Sequence, residues 1–509
     1  MSDSFLELGA LSAYLLTLLW IGFRTRHQVK SSLDYALAGR SIPWIVLLAT
    51  TGATMIGGGA SVGMVSRVYE VGIAAAVITC AWHLQLIFVG LWAAPRLRRL
   101  NLITVGDYFH LRFGPVAREL SVIVCLFFMI GILAAQMAAM GTVTNLVLGI
   151  SYETALLIGA AVTVFYSTIG GMRAVVKTDV LQFIILVVGI GAAAAIVLHR
   201  SGGFAELAKA SEISYFTLTG NWSAMRLVSL FCAFFLGEFF VPSFTVRCFS
   251  AKDTRQAQWG LVGAGVFLLL FMPISTFVLG MAAKTDPNVQ AVLESERQAI
   301  METAQEGGLP NPAQEAEEQV QQLVLPALVR TTFHPALAGI LIAAIIAAVM
   351  SSADSILSCL STVIMEDYYR RHINPGARDR VLLRVAQIST LGFGVSATVF
   401  ALFFSNIAEI LEFAYDFWAP TMVLPFLVGI FWFRKNRIYA VVVSMLSGLL
   451  ATAIWRFALQ SPGDLGPALF GFMVAVAAFF IAIPFTSRFP LSRFFQPGET
   501  ACPSEGERL

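Results

Sequence analysis

The chain is poor in charge, and the charge that it has is nearly balanced. Only 13% of its 509 residues are Asp, Glu, Lys or Arg, whereas soluble domains carry roughly a quarter. The formal net charge is +2, so the sequence shows no basic surface of the kind that binds nucleic acid. We therefore expect no nucleic-acid partner, and water is not the main solvent of this chain.

Motifs for metal or covalent chemistry are also lacking. The six cysteines have no CxxC spacing, and most lie in or beside apolar runs, so we interpret them as packing residues. The spans contain no HExxH or nucleophile motif, which argues against an intramembrane enzyme. The first apolar run is not preceded by a basic region or followed by a cleavage site, so we predict that it is a retained helix.

Long apolar runs are abundant: 57% of the residues are hydrophobic and the mean hydropathy is +0.77. Because a helix needs about 20 apolar residues to cross a bilayer, these runs predict an all-α polytopic membrane protein of about 13 transmembrane helices. The predicted spans lie near residues 8-23, 43-66, 73-94, 117-145, 154-170, 178-198, 227-247, 258-283, 335-364, 383-404, 408-431, 438-457 and 466-486.

The loops between these spans predict an orientation. With the N-terminus outside and the C-terminus in the cytoplasm, 25 of the 33 Lys and Arg residues fall inside, as the positive-inside rule favours. The long acidic loop 284-334 then lies outside, and its stretch 288–306 has helical spacing. That stretch is either a solvated amphipathic helix over the outer face or a gate or partner site.

Two spans have features that break helices. The second contains Gly57, Gly58 and Gly59 in succession, and the seventh contains Gly237 and Pro242 around Glu238. Counted from the first of these, they are helices one and six of a five-plus-five arrangement. Interrupted helices at matching positions of two halves indicate an inverted-repeat transporter whose site lies at the midplane; the alternative is that the glycines only allow close helix packing.

The span 335-364 carries a face of small and hydroxyl side chains. Ala348, Ser351, Ser352 and Ser355 follow the spacing i, i+3, i+4, i+7 and therefore share one helical face. Neutral oxygens suit sodium, a hard cation, without the desolvation cost of several carboxylates. A packing seam of small residues is the structural alternative.

Several carboxylates lie within spans, where ionisable groups are costly and are functional hypotheses by default. Asp179 begins the sixth span, as a cation ligand or as a helix cap; Asp354 lies deeper. Glu238 at the second break faces the substrate or pairs with Arg247. A further set, near the outer half of the eleventh span, suggests an outer gate, a water-filled vestibule or interfacial solvation: Glu409, Glu412 and Asp416.

At these residues the chain resembles the sodium:solute symporter family, whose members have the broken-helix fold first seen in a bacterial leucine transporter. The resemblance extends over most of the chain and is strongest in three segments, 166–172, 178–182 and 347–352. It implies a sodium ion held by backbone carbonyls of the first broken helix and by a carbonyl and two hydroxyls of the eighth core helix. The matching residues are Ala53, Ile56, Ala348, Ser351 and Ser352.

Some members of that family bind a second sodium ion. The matching positions here are Asp179, Ser351, Asp354 and Ser355, where Asp354 replaces a hydroxyl, so the ion count is open. The sequence of segment 350–355 resembles that of the choline-transporting branch. However, Met55 and Val241 stand where that branch has the tryptophans that cage a quaternary ammonium. Choline is therefore not the expected solute.

The sequence thus predicts a single transporter domain, 1-509, that imports a small organic solute with sodium by alternating access. An amine or zwitterion is favoured over a carboxylate because of Glu238. A proton-coupled symporter and a transporter-like sensor or channel are the alternatives. The predicted parts are 1-42, a first repeat 43-198, a second repeat 227-431, two trailing helices 438-486 and a tail 487-509. The predicted solute ligands are Thr54, Met55, Gly57, Gln136, Glu238, Phe239, Val241 and Tyr415.

Overall fold

The computed structural model is all-helical over the residues that it describes, which are 2–209, 212–306, 311–403, 407–434 and 437–488. Within these ranges the β-structure is limited to one isolated bridge, between Ile42 and Ala251. The helices are α1 Ser2–Thr25, α2 Ser32–Leu37, α3 Trp44–Met55, α4 Met64–Val71, α5 Ile73–Phe88, α6 Ala94–Arg99, α7 Val105–Leu148, α8 Tyr152–Arg200, α9 Phe204–Lys209, α10 Ala224–Gly237, α11 Pro242–Ser250, α12 Thr254–Thr285, α13 Pro287–Glu306, α14 Pro312–Thr332, α15 Pro335–Val363, α16 Asp379–Phe403, α17 Ile407–Trp418, α18 Leu424–Phe431, α19 Ile438–Ala453 and α20 Pro467–Ala482.

Helix starts follow local sequence signals. Thr104 and Asp107 form a capping box at the start of α7, each side chain accepting a hydrogen bond from the other's backbone N–H. Asp253 caps α12 by accepting from the backbone of Gln256 at 2.9 Å. Proline occupies the first position of α11, α15 and α20, where its missing N–H costs nothing.

The structure has fewer candidate spans than the 13 predicted from the sequence, and the difference lies in α1 and α8. Among the described residues, 10 helices are long and apolar enough to cross a membrane, or 11 with α3 and α4 taken together as one bent span. The 49 residues of α8 exceed one crossing, and Gly171 interrupts them with φ 51° and ψ −160°. The two parts of α8 match two predicted spans, and α1 matches the first.

Both predicted breaks are present. Helices α3 and α4 meet at an angle of 63°, and the chain between them includes Gly57 and Gly58. Helix α10 ends at Gly237 and α11 begins at Pro242; between them Phe240 has a left-handed backbone with φ 59°. Proline lacks the N–H that would continue the preceding helix, so the sequence itself predicts the second break.

Helix α15 forms the centre of the molecule. Of its most apolar stretch, 83% is buried, and it packs on α1, α3, α7 and α8. By contrast, α16 and α20 are only 33% and 28% buried and present apolar side chains such as Ile388 and Ile481 outwards. An apolar outside with a buried hydroxyl-bearing centre is the arrangement of a membrane bundle.

The acidic loop forms two helices rather than one. Helix α13 covers the predicted stretch 288–306, whereas α14 was not predicted. Helix α14 packs on α4, α7 and α15, and the Ser66 hydroxyl of α4 donates to the backbone carbonyl of Gln321. The pair therefore lies against the second half of the first broken helix.

Candidate functional site

Four of the five predicted sodium ligands meet where α15 passes the first break. Ser351 Oγ donates to the carbonyls of Ala53 and Ala348, each at 2.9 Å. Ser352 Oγ lies 2.6 Å from the carbonyl of Thr54. Both hydroxyls thus lie in one carbonyl-lined junction between α3 and α15, and Ile56 is buried at the end of α3. Thr54 is a contact that the sequence-based sodium set did not include.

The break is held open by a side chain from α7. The Gly58 N–H, which a continuing helix would pair with the Thr54 carbonyl, donates instead to Gln136 Oε1 at 2.9 Å. This leaves the Thr54 carbonyl available to Ser352. Gln136, predicted as a solute ligand, therefore supports the unwound backbone as well.

Asp179 does not cap a helix, because it lies within α8. Its carboxylate accepts from the Thr50 hydroxyl and, at 2.9 Å, from the Arg247 guanidinium. Both members of this ion pair are fully buried. Asp354 lies nearby, accepting from the Tyr166 hydroxyl at 2.8 Å.

Glu238 has a different partner from the one weighed on sequence grounds. Arg247 pairs with Asp179, while Glu238 Oε1 accepts a hydrogen bond from the Tyr415 hydroxyl of α17. Glu238 is 8% exposed. Glu238 and Arg247 lie on opposite sides of the second break. The spacing rules of a single helix therefore do not fix the direction of one side chain relative to the other.

A cavity of ≈ 50 Å³ lies between the two breaks, beside the serine junction. Seven of the eight predicted solute ligands line it; Phe239 does not, and its carbonyl accepts from Trp418 Nε1 at 3.0 Å. The lining residues that sequence reasoning did not assign to the site are mostly apolar and come from the first break, α5, α7, α11, α15 and α17: Gly59, Ala60, Trp82, Phe128, Met129, Ile132, Ser243, Phe244, Ile356 and Leu411.

The sequence profile of the sodium:solute symporter family matches residues 35–448. The chain belongs to this family. It is accordingly a transporter rather than an enzyme, and the coupling ion of its family is sodium.

Curated symporter relatives cover most of this chain. The high-affinity proline transporter PutP of Bacillus subtilis is 26% identical over 86% of this chain and 89% of its own length. The sodium/glucose cotransporter of Vibrio parahaemolyticus is 26% identical over 87% of this chain and 84% of its own. The human high affinity choline transporter 1 is 25% identical over 86% of this chain and 74% of its own. Such similar identities do not single out one branch.

A solved structure supports the fold. A Na⁺-coupled sialic acid symporter in a substrate-bound, outward-open state superposes with a TM-score of 0.79, covering 94% of this chain and 98% of its own, at 20% identity. Mhp1, a nucleobase-cation-symport-1 family transporter, superposes with a TM-score of 0.55 at 14% identity. The predicted all-α, five-plus-five fold with two broken helices is confirmed.

Two acidic residues in the first half of the eleventh predicted span, on α17, belong to ion pairs in this symporter. Glu412 pairs with Arg67 of α4, and Asp416 pairs with Arg456, which follows α19. The side chain of Glu409 is outside the described set. The Arg67–Glu412 pair joins the first broken helix to α17, whereas the Asp416–Arg456 pair joins α17 to the first trailing helix.

At the opposite end, a further pair connects α2 with α8. Arg173 Nε lies 3.0 Å from Asp34 Oδ1, next to the interruption at Gly171. Burial alone would raise the pKa of Asp34, but hydrogen bonds from Arg173 and from the Lys30 backbone, with the arginine's charge, hold it below its ordinary value. Asp34 is therefore an anion at neutral pH.

Proposed function

We propose that this symporter imports a small amine or zwitterion together with sodium, and that the cavity between the two breaks is the solute site. The observation that carries the proposal is the buried carboxylate of Glu238 in a cavity lined by aromatic rings. Among the described lining residues, Glu238 is the one acidic side chain, and none is Lys or Arg. A cationic group on the solute would compensate this buried charge.

Aromatic residues of the cavity favour the same class of solute. Trp82, Phe128 and Tyr415 come from α5, α7 and α17, and ring faces attract ammonium groups. These rings do not occupy the positions of the tryptophan cage of the choline branch, where Met55 and Val241 stand. A primary or secondary amine, with N–H groups for Glu238, therefore fits better than choline. A solute with a carboxylate and no amine would place a second negative charge beside Glu238, with no lining Lys or Arg to balance it.

The sodium ion in this proposal is held by the carbonyls of Ala53, Ile56 and Ala348 and the hydroxyls of Ser351 and Ser352. Support comes from the short contacts of the two serines with carbonyls of α3. Binding would replace these hydrogen bonds with ion–oxygen contacts, using neutral ligands that carry little desolvation cost. Asp179, Asp354 and Ser355 are the second candidate set.

In this proposal, solute binding and sodium binding are coupled because the two sites share residues. Thr54 and Ser352 line the solute cavity and also belong to the serine junction. An ion between α3 and α15 would hold these helices in one arrangement and stabilise the conformation that binds solute, which is a population shift. Alternating access then releases both to the cytoplasm, with the N-terminus outside and the C-terminus inside.

Proton coupling, a sensor role and a channel remain the alternatives, and one experiment separates them from sodium symport. Thermal shift of the purified full-length protein would be measured with a panel of amines, amino acids, betaines, carboxylates and sugars, each in sodium and in potassium. We expect an amine or amino acid to stabilise the protein only in sodium, and the sodium dependence to be lost in Ser351→Ala and Ser352→Ala.

Other results have defined meanings. Stabilisation by the same solute in both salts would contradict sodium symport and favour proton coupling or a channel. A carboxylate or sugar as the stabilising solute, with the sodium dependence intact, would overturn only the assignment of the solute class.

A further inference from the structure

A buried arginine lies at the centre of four helices. Arg247 of α11 is completely buried, and its Nη2 donates to Asp179 Oδ2 of α8 at 2.9 Å and to Ser355 Oγ of α15 at 2.7 Å. The same nitrogen is 2.5 Å from Thr54 Oγ1, and Nε donates to Thr50 Oγ1 at 3.1 Å, both on α3. One guanidinium thus donates hydrogen bonds to four side-chain oxygens on three neighbouring helices.

Two of these partners belong to the candidate second sodium set. Asp179 and Ser355 were both assigned to it by resemblance, and here both accept from Arg247 Nη2. A sodium ion bound to the same two oxygen atoms would have to lie at or next to the position of that nitrogen. The positively charged guanidinium repels a second cation at this position.

Asp354 is at the edge of this cluster. Its two oxygens contact the Tyr166 hydroxyl at 2.8 Å and Ser355 Oγ at 3.3 Å. Among the described residues, the carboxylate within ion-pair distance of Arg247 is that of Asp179. The charge of Arg247 is therefore balanced mainly by Asp179, as a buried ion pair requires.

We propose that Arg247 is a built-in cation that takes the place of a second sodium ion, so that this symporter binds and couples a single sodium ion. The inference rests on the proposed first site at Ser351 and Ser352. Its consequence is energetic: with about 100 mV and a tenfold sodium gradient, one ion supports accumulation of several hundred-fold, and two ions would square that value.

The test is a count of bound sodium, which needs no knowledge of the solute. Equilibrium binding of radioactive sodium to the purified full-length protein should saturate at one ion per chain with a Hill coefficient of one. Arg247→Ala leaves Asp179 unpaired beside the hydroxyls of Thr50, Thr54 and Ser355. We expect this variant to bind two ions, and added guanidinium chloride to displace only the second.

Matched variants control for charge and for folding. Arg247→Lys keeps a cation in place and should bind one ion, as should the double variant Arg247→Gln with Asp179→Asn, which removes both charges. Arg118→Ala disrupts another buried Arg–Asp pair, with Asp367, away from the serine junction. Its count should stay at one.

Two results would overturn the inference. One is saturation of the unmodified protein at two ions, a measurement that does not depend on any variant folding. The other is an Arg247→Ala protein that still binds Ser351-dependent sodium but only one ion. Absence of Ser351-dependent sodium binding in the unmodified protein would instead contradict the proposed function itself.

Discussion

At the scale of single residues, the buried carboxylates of this symporter have separate roles because each has a different partner. Asp179 is neutralised by Arg247, whereas Glu238 receives one hydrogen bond from Tyr415 and faces the cavity. A buried carboxylate without a counter-ion is costly. This difference supports the proposal that Glu238 contacts the solute, whereas Asp179 pairs within the protein.

We expect Glu238→Gln to weaken binding of the amine solute by at least about tenfold, since hydrogen bonds to charged groups contribute about 1.5–3 kcal/mol. The measurement is a thermal-shift titration with the solute identified in the panel. Glu70→Gln is the control, because Glu70 is an exposed carboxylate at the end of α4. Equal solute affinity in Glu238→Gln and the unmodified protein would contradict an ammonium contact.

The Asp34–Arg173 pair makes stability depend on pH. Because the folded protein holds the pKa of Asp34 below its ordinary value, the pair stabilises the fold above the unfolded pKa, about 4, and loses this effect as the pH falls through the folded pKa. The melting temperature of Asp34→Asn should therefore lie below that of the unmodified protein at pH 6, by an amount that shrinks towards pH 3. A constant difference would show that the charge of Asp34 is not involved.

At the scale of elements, the two breaks are built differently. The first depends on small residues that let α15 and α7 approach the backbone: a Cβ on Gly57 would lie 2.5 Å from Ser352 Oγ. The second depends on Pro242 and on the left-handed backbone of Phe240. The first break is consequently the one whose geometry positions the serine junction, the proposed sodium site.

Gly57→Ala should lower the apparent sodium affinity by about tenfold or more, because the new methyl group forces the Ser352 hydroxyl away from the Thr54 carbonyl. Sodium-dependent thermal stabilisation measures this. Gly63→Ala is a matched control in the same segment, where a Cβ would meet only the Gly58 carbonyl at 3.8 Å. If both variants behave alike, local packing at Gly57 is not what positions Ser352.

At the scale of the whole molecule, the orientation predicted from the loop charges stays a prediction. It can be tested with single cysteines in a variant that lacks the six native ones. In intact cells, a membrane-impermeant maleimide should label Pro462→Cys, in the exposed loop between α19 and α20, and should not label Gly376→Cys, in the exposed loop before α16. The opposite pattern would reverse the assignment.

Sequence reasoning recovered the broken helices and the serine face because both depend on local chemistry. Glycine and proline break helices wherever they stand, and the spacing of Ala348, Ser351 and Ser352 puts them on one face of any helix. Cavity residues such as Trp82 and Phe128 were missed, because an apolar residue facing a cavity has the same sequence signature as one facing another helix.

The amino-acid sequence by itself determined that this chain is a membrane protein and which family it belongs to. It also determined where the helices begin and break, since hydropathy, capping and turn chemistry act over short distances. Only the tertiary structure decided the partners of the buried charges. Arg247 and Asp179 are 68 positions apart, and no spacing rule connects them. Their pairing follows from how α8, α11 and α15 pack, and with it the inference that one sodium ion, not two, drives transport.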